Sequence, residues 1–129
     1  MGIDESRSFT PIGIALITVS DTREPATDSS GDILEARVRE AGHILIERTI
    51  CPDDAGEIYD LLRRFIASRD VDCVITTGGT GLTGRDVTPE ALDRVKDKDI
   101  PGFGELFRWI SYEQIGTSTI QSRACAVLA

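Results

Sequence analysis

The sequence holds 129 residues, room for one domain-sized core and not for two, and its 14 Lys and Arg against 22 Asp and Glu give a formal charge of −8 at pH 7. That balance argues against nucleic acid or an anionic membrane surface as partner, and 40% hydrophobic with 28% charged residues excludes a disordered, collagenous or coiled-coil chain. Cys51, Cys73 and Cys125 are odd in number and form no CxxC pair, which fits reduced thiols in a cytoplasmic protein better than a disulfide framework.

In chain order, residues 1–10 are polar and read as a flexible leader. The run Ile12 to Val19 is apolar on both alternating faces, the pattern of a central strand covered on each side. A polar loop from Ser20 to Ser29 leads to Ser30-Gly31-Asp32, which offers a cap for a helix carrying Leu34, Val38 and Ala41 and ending at Gly42. Ile44 to Ile50 reads as a second strand. Cys51-Pro52-Asp53-Asp54 breaks it, and Asp54 three residues before Glu57 resembles a capping box for a helix with Ile58, Leu61, Leu62, Phe65 and Ile66. Val71 to Thr76 is the third strand. After a glycine-rich loop, Thr88-Pro89-Glu90 opens a helix with a hydroxyl cap and a first-turn proline. Pro101-Gly102 punctuates, and Phe103, Leu106, Phe107 and Ile110 mark a last amphipathic helix, on which Glu105 and Arg108 are spaced as a surface ion pair and Trp109 as a packing or subunit contact. Residues 116–123 are polar and weakly determined.

Strands alternating with helices require parallel pairing, so the expected fold is α/β, a three-layer α/β/α sandwich with a mostly parallel sheet. Ligands in such sheets sit outside the carboxyl ends of the strands. The loops at those ends carry Ser20-Asp21, Asp53-Asp54 and the segment Thr77-Gly78-Gly79-Thr80-Gly81-Leu82-Thr83-Gly84-Arg85-Asp86. Its four glycines permit positive φ and leave amides uncovered for a phosphate, and its threonines add hydroxyl donors. In a chain of charge −8 several donors must act together, with a cation, to hold a polyanion. Gly79, Gly81 and Gly84 spell GxGxxG, but the helix begins too late for a dinucleotide fingerprint, and a P-loop lacks its Gly-Lys-Ser/Thr. A merely flexible connection is the remaining alternative.

Thr77-Gly78-Gly79-Thr80-Gly81 followed by Arg85-Asp86-Val87-Thr88-Pro89-Glu90 resembles the signature of the MoaB/Mog family of molybdenum-cofactor biosynthesis proteins. Ile17 to Arg23, Ser30-Gly31, Pro52-Asp53-Asp54, Pro101 to Glu105 and Ser122-Arg123-Ala124 stand in the order the family shows. The likeness runs from about residue 10 to the end, so residues 11–129 are expected to form a molybdopterin-binding domain. The resemblance implies transfer of AMP from Mg-ATP onto the molybdopterin phosphate with release of pyrophosphate. A non-catalytic molybdopterin-binding or assembly role, as in part of the MoaB branch, and a nucleotide-binding module indifferent to pterin are the alternatives.

Within that resemblance Asp53 and Asp86 match the family's acids and would hold Mg2+ and position the reacting phosphates. Each also reads as a helix-capping acid. Ser20, Asp21, Thr77, Gly78, Gly79, Thr80, Gly81 and Ser122 would contact substrate, with ATP as co-substrate and Mg2+ as cofactor. Ser20-Asp21 also reads as a simple turn, and Ser122-Arg123 as a solvated helix end. Lone His43 has no catalytic partner at ligand spacing. The family further implies a homotrimer or homohexamer and other proteins of the same pathway as partners. Its members continue past Ser122-Arg123-Ala124 with a strand, a proline-glycine loop and a helix, so a sequence ending at Ala129 is expected to lack one wall of the site.

Overall fold

The computed structural model describes residues 2–129; position 1 of the expected leader lies outside them. Strand β1 (Gly13–Val19) is buried at all seven positions, because it runs between β2 (Ile44–Cys51) and β3 (Cys73–Thr77) in a parallel sheet of order β2-β1-β3. Its alternate side chains separate two cores. Ala15, Ile17 and Val19 pack with Ile58, Leu62 and Phe65 of helix α2 (Ala55–Ile66) and Ala91 and Val95 of α3 (Thr88–Val95). Ile14 and Leu16 face Val38 of α1 (Ser29–Glu40). Helices on both faces of a parallel sheet give the expected three layers. Each fully buried aliphatic side chain such as Ile58 contributes about 1.5–3 kcal/mol.

Register is Thr18 opposite Thr77 on one side and Val19 opposite Cys51 on the other, so the three strands end nearly level. A bulge between Ile14 and Ala15 shifts the β2 pairing. It lies at the opposite end of the sheet and leaves the carboxyl rim regular.

Local capping departs from expectation in two places. Helix α1 is capped by Asp28, whose carboxylate accepts the Gly31 amide at 3.0 Å, and so starts before the Ser30-Gly31-Asp32 segment. Helix α3 has Val87 at its N-cap and no side-chain cap. The Thr88 hydroxyl donates instead to the Gly78 carbonyl at 2.9 Å. Asp54 does cap α2, accepting the Glu57 amide at 2.9 Å. Ahead of β1, Phe9 rests its ring on His43, whose Nδ1 accepts the Ile12 amide at 3.2 Å.

Beyond α3, β4 (Lys98–Asp99) pairs antiparallel with β5 (Val127–Leu128), and α4 (Pro101–Ile115) lies between them in sequence. The helix is longer than its apolar spacing predicts because Pro101 begins it. A 3-10 turn over Gly116–Gln121 follows. Arg108 does not pair with Glu105: its guanidinium donates to the carbonyls of Ser122 at 3.2 Å and Ala124 at 2.9 Å, pinning the returning chain against α4. Phe103, Leu106, Trp109, Ile110 and Tyr112 remain exposed, Trp109 at 73%. Among the described residues no helix is long and apolar enough to cross a membrane.

Candidate functional site

The three loops leaving β1, β2 and β3 are tied to one another. Past the end of β1 the Ser20 amide donates to the Cys51 carbonyl at 2.8 Å, so the ladder continues into the loop. The Ser20 hydroxyl accepts the amides of Thr22 and Arg23, both at 3.2 Å, and turns the chain. Asp21 accepts the Asp53 amide at 2.9 Å through one oxygen and forms an ion pair with Arg85 through the other. One aspartate thus joins all three loops.

The glycine-rich loop passes over this junction. Gly78 has φ of 97° and Gly79 of 68°, conformations that favour glycine. A side chain at Gly78 would collide with the Val19 carbonyl, and one at Gly79 with the Thr88 hydroxyl. The loop is held by Thr88, whose amide donates to the Gly79 carbonyl at 3.0 Å while its hydroxyl reaches Gly78. These bonds tie Gly78 and Gly79 to the start of α3.

The two acids singled out in the sequence lie against this loop. Asp53 is partly buried, and its Oδ1 lies 3.3 Å from where a Gly79 Cβ would stand. Asp86 Oδ2 lies 2.7 Å from the corresponding point on Gly81. Two glycine positions, two residues apart, therefore each admit a carboxylate. Asp54 caps α2 and Val87 occupies the α3 cap, so neither Asp53 nor Asp86 is a capping acid. The hydroxyl of Thr83 at 2.7 Å and its amide at 3.0 Å hold Asp86. These bonds, helped by the Gly81 amide and the nearby Arg123 charge, outweigh partial desolvation and keep the Asp86 carboxyl below the usual aspartate range.

The remaining predicted residues divide. Thr77 and Gly78 line a cleft of about 240 Å³ together with Thr18, Ser20, Arg23 and Asp28. Thr80 and Gly81 form the loop's far side, where the Arg123 amide donates to the Thr80 carbonyl at 2.9 Å and its Nε to the Gly81 carbonyl at 2.7 Å. Ser122 stands behind that contact, its hydroxyl accepting the Ala124 amide at 3.3 Å. Arg123 is accordingly engaged with the loop and is not a solvated helix end. A larger open groove of about 580 Å³, between Arg23-Glu24-Pro25 and Arg48-Thr49-Ile50, contains none of the predicted residues.

Asp28 was not anticipated. It is 1% exposed and forms the floor of the smaller cleft. Thr18 donates to it at 2.7 Å and Arg48 at 3.0 Å, and Arg48 also reaches Asp32 at 2.8 Å and Glu35 at 2.9 Å. Its sequence signal was an acid placed before the small residues Ser29-Ser30-Gly31, which suits an N-cap as well as the segment following it does.

No group of three or more His, Cys, Asp or Glu side chains is gathered for a metal among the described residues. The donor set suits only a cation that takes one or two carboxylates and completes its shell with water and phosphate oxygens, as Mg2+ does. Two acids thus stand beside Gly79 and Gly81 at the rim of the sheet.

Comparison with known proteins bears on the family and the fold. The family described as a probable molybdopterin binding domain matches residues 15–129. The molybdenum cofactor biosynthesis protein B of Escherichia coli (strain K12) is 46% identical over 124 residues, which cover 96% of this chain and 73% of that protein. A crystal structure of a molybdenum cofactor biosynthesis protein B superposes with a TM-score of 0.87 at 44% identity, over 92% of this chain and 74% of the other. The tungsten cofactor synthesizing protein MoaB of Pyrococcus furiosus gives 0.81 at 35%, over 93% and 74%. With the family matched over residues 15–129 and relatives at this identity covered to about three quarters, the chain belongs to the MoaB/Mog family of molybdopterin-binding domains.

Proposed function

We propose that this chain acts in molybdenum cofactor biosynthesis as a molybdopterin adenylyltransferase, moving AMP from Mg-ATP onto the molybdopterin phosphate and releasing pyrophosphate. The observation that carries the reading is the seating of Asp53 and Asp86 beside Gly79 and Gly81 on one loop. A bare anion site would have no use for two carboxylates there; a site for magnesium polyphosphate does.

In the reaction a phosphate oxygen of molybdopterin attacks the α-phosphorus of ATP, and the bond to the β,γ-pyrophosphate breaks in line. Both reactants are anions, so positioning and charge neutralisation dominate over proton transfer. Mg2+, bound by Asp53 and Asp86, would supply the neutralising charge on the phosphate oxygens. Thr77 to Gly81 would place amides and hydroxyls on the polyphosphate. The cleft of Thr18, Ser20 and Thr77 offers neutral hydroxyls to the pterin side. The bonds from Thr83 hold Asp86 in place and favour its charged form.

Self-association through α4 belongs to the same proposal. Its Leu106, Trp109, Ile110 and Tyr112 are all more than half exposed in the single chain, and a symmetric trimer, or a hexamer of two trimers, would cover them.

The test is pyrophosphate release from ATP by the purified chain with Mg2+, with and without molybdopterin. Release is expected only with both, and Asp86→Asn is expected to slow it about 100-fold while molybdopterin binding stays within about twofold of wild type. Tight molybdopterin binding with no release by the wild-type chain contradicts the enzymatic reading and favours a non-catalytic binding role. ATP affinity indifferent to pterin contradicts both.

A further inference from the structure

We propose that Arg123 is a positioning residue for the glycine-rich loop: by gripping three of its carbonyls from behind, it turns loop amides and the Asp86 segment toward bound polyphosphate. The inference rests on the phosphate-binding part of the proposed function and deepens it.

Three of the four contacts of Arg123 are to backbone. Its amide donates to the Thr80 carbonyl at 2.9 Å, Nε to the Gly81 carbonyl at 2.7 Å, and Nη2 to the Asp86 carbonyl at 2.6 Å; the guanidinium also pairs with Glu90 on α3. The chain between Gly81 and Asp86 is thus closed by one planar fork, and the fork is anchored to a helix.

In a planar trans peptide the C=O and N–H groups point in opposite directions. Carbonyls of Gly81 and Asp86 drawn toward Arg123 therefore send the amides of Leu82 and Val87 away from it. Neither amide finds a partner among the described residues. Two unpaired donors are left on the side of the loop remote from the guanidinium, available to phosphate oxygens. A lysine, with one point of charge, cannot bridge Gly81 and Asp86 as the fork does.

The guanidinium is paired with Glu90 and bonded to loop carbonyls, so its part is to hold the loop and not to bind the anion. Segment 122–124, which carries it, is in turn held by Arg108 of α4. The loop's geometry thus depends on a part of the chain 42 residues away.

The experiment compares wild type with Arg123→Gln, Arg123→Lys and Glu90→Gln. Three quantities are read: amide hydrogen exchange without ligand, and the affinities for Mg-ATP and for molybdopterin by calorimetry. For Arg123→Gln the expected result is exchange about tenfold faster confined to residues 81–87, with Mg-ATP affinity at least about tenfold weaker. Molybdopterin affinity and exchange in β1 and α2 should stay as in wild type. Arg123→Lys should fail to rescue either quantity, and Glu90→Gln, which leaves the backbone bonds in place, should change affinity less than about threefold.

Faster exchange throughout the chain, an unchanged Mg-ATP affinity, or full rescue by lysine overturns the inference. A wild-type chain that binds Mg-ATP but releases no pyrophosphate with molybdopterin overturns the adenylyltransferase reading and leaves this one standing if the variant pattern holds. A wild-type chain with no affinity for Mg-ATP overturns both.

Discussion

At the residue scale, Gly78 is the position where backbone and function meet. Its φ of 97° and its approach to the Val19 carbonyl leave no room for a Cβ, so Gly78→Ala should cost about 2 kcal/mol or more in denaturant unfolding. Glycine at position 84, whose Cβ would meet nothing, should tolerate alanine within about 0.5 kcal/mol. Equal costs at the two sites would show that loop composition, and not the turn at Gly78, sets stability. Asp53, Asp86 and the glycines were legible in the sequence because each lies inside a short motif. Arg123 as a loop clamp was not, since its partners Thr80, Gly81 and Asp86 are brought to it only by the fold.

At the element scale, β1 and α2 follow directly from pattern. A run apolar on both faces became the central strand, and Ile58, Leu62 and Phe65 at helical spacing became the buried face of α2. The start of α1 did not follow, because Asp28, Ser29 and Ser30 all suit a cap and only tertiary contacts select Asp28. Burial pushes the Asp28 carboxyl up, but bonds from Thr18, Gly31 and Arg48 outweigh it, and its net displacement is downward. A lowered folded value means that the unfolded chain binds the proton more readily. The stabilisation is therefore fully present above about pH 4 and is lost as pH falls through the folded value. Asp28→Asn should be less stable than wild type by about 2 kcal/mol at pH 7, and urea midpoints of the two chains should converge as pH drops below about 4. Other carboxylates titrate in both chains, so the difference isolates Asp28. A gap that stays constant with pH would show that Asp28 acts through shape alone.

At the scale of the whole molecule, the three-layer order was legible from the alternation of strands and helices, whereas the pairing of β4 with β5 was hidden by their shortness. A charge of −8 repels the anions the proposed reaction joins, so that proposal requires a divalent ion and several amides to act together. The exposed face of α4 makes a separate prediction. Wild type should sediment as a trimer or hexamer, and Trp109→Glu, changing a residue 73% exposed in the single chain, should reduce it to single-chain mass with its fold intact by circular dichroism. A variant that keeps the wild-type mass would place the subunit contact elsewhere.

The most direct measurement is a crystal structure of the chain grown with Mg2+ and an ATP analogue that resists cleavage of the α,β bond. The polyphosphate should lie along Thr77 to Val87, with the metal held by Asp53, Asp86 or both. A nucleotide seated in the groove beside Arg48 and Ile50, or at the amino ends of the strands, would contradict the account.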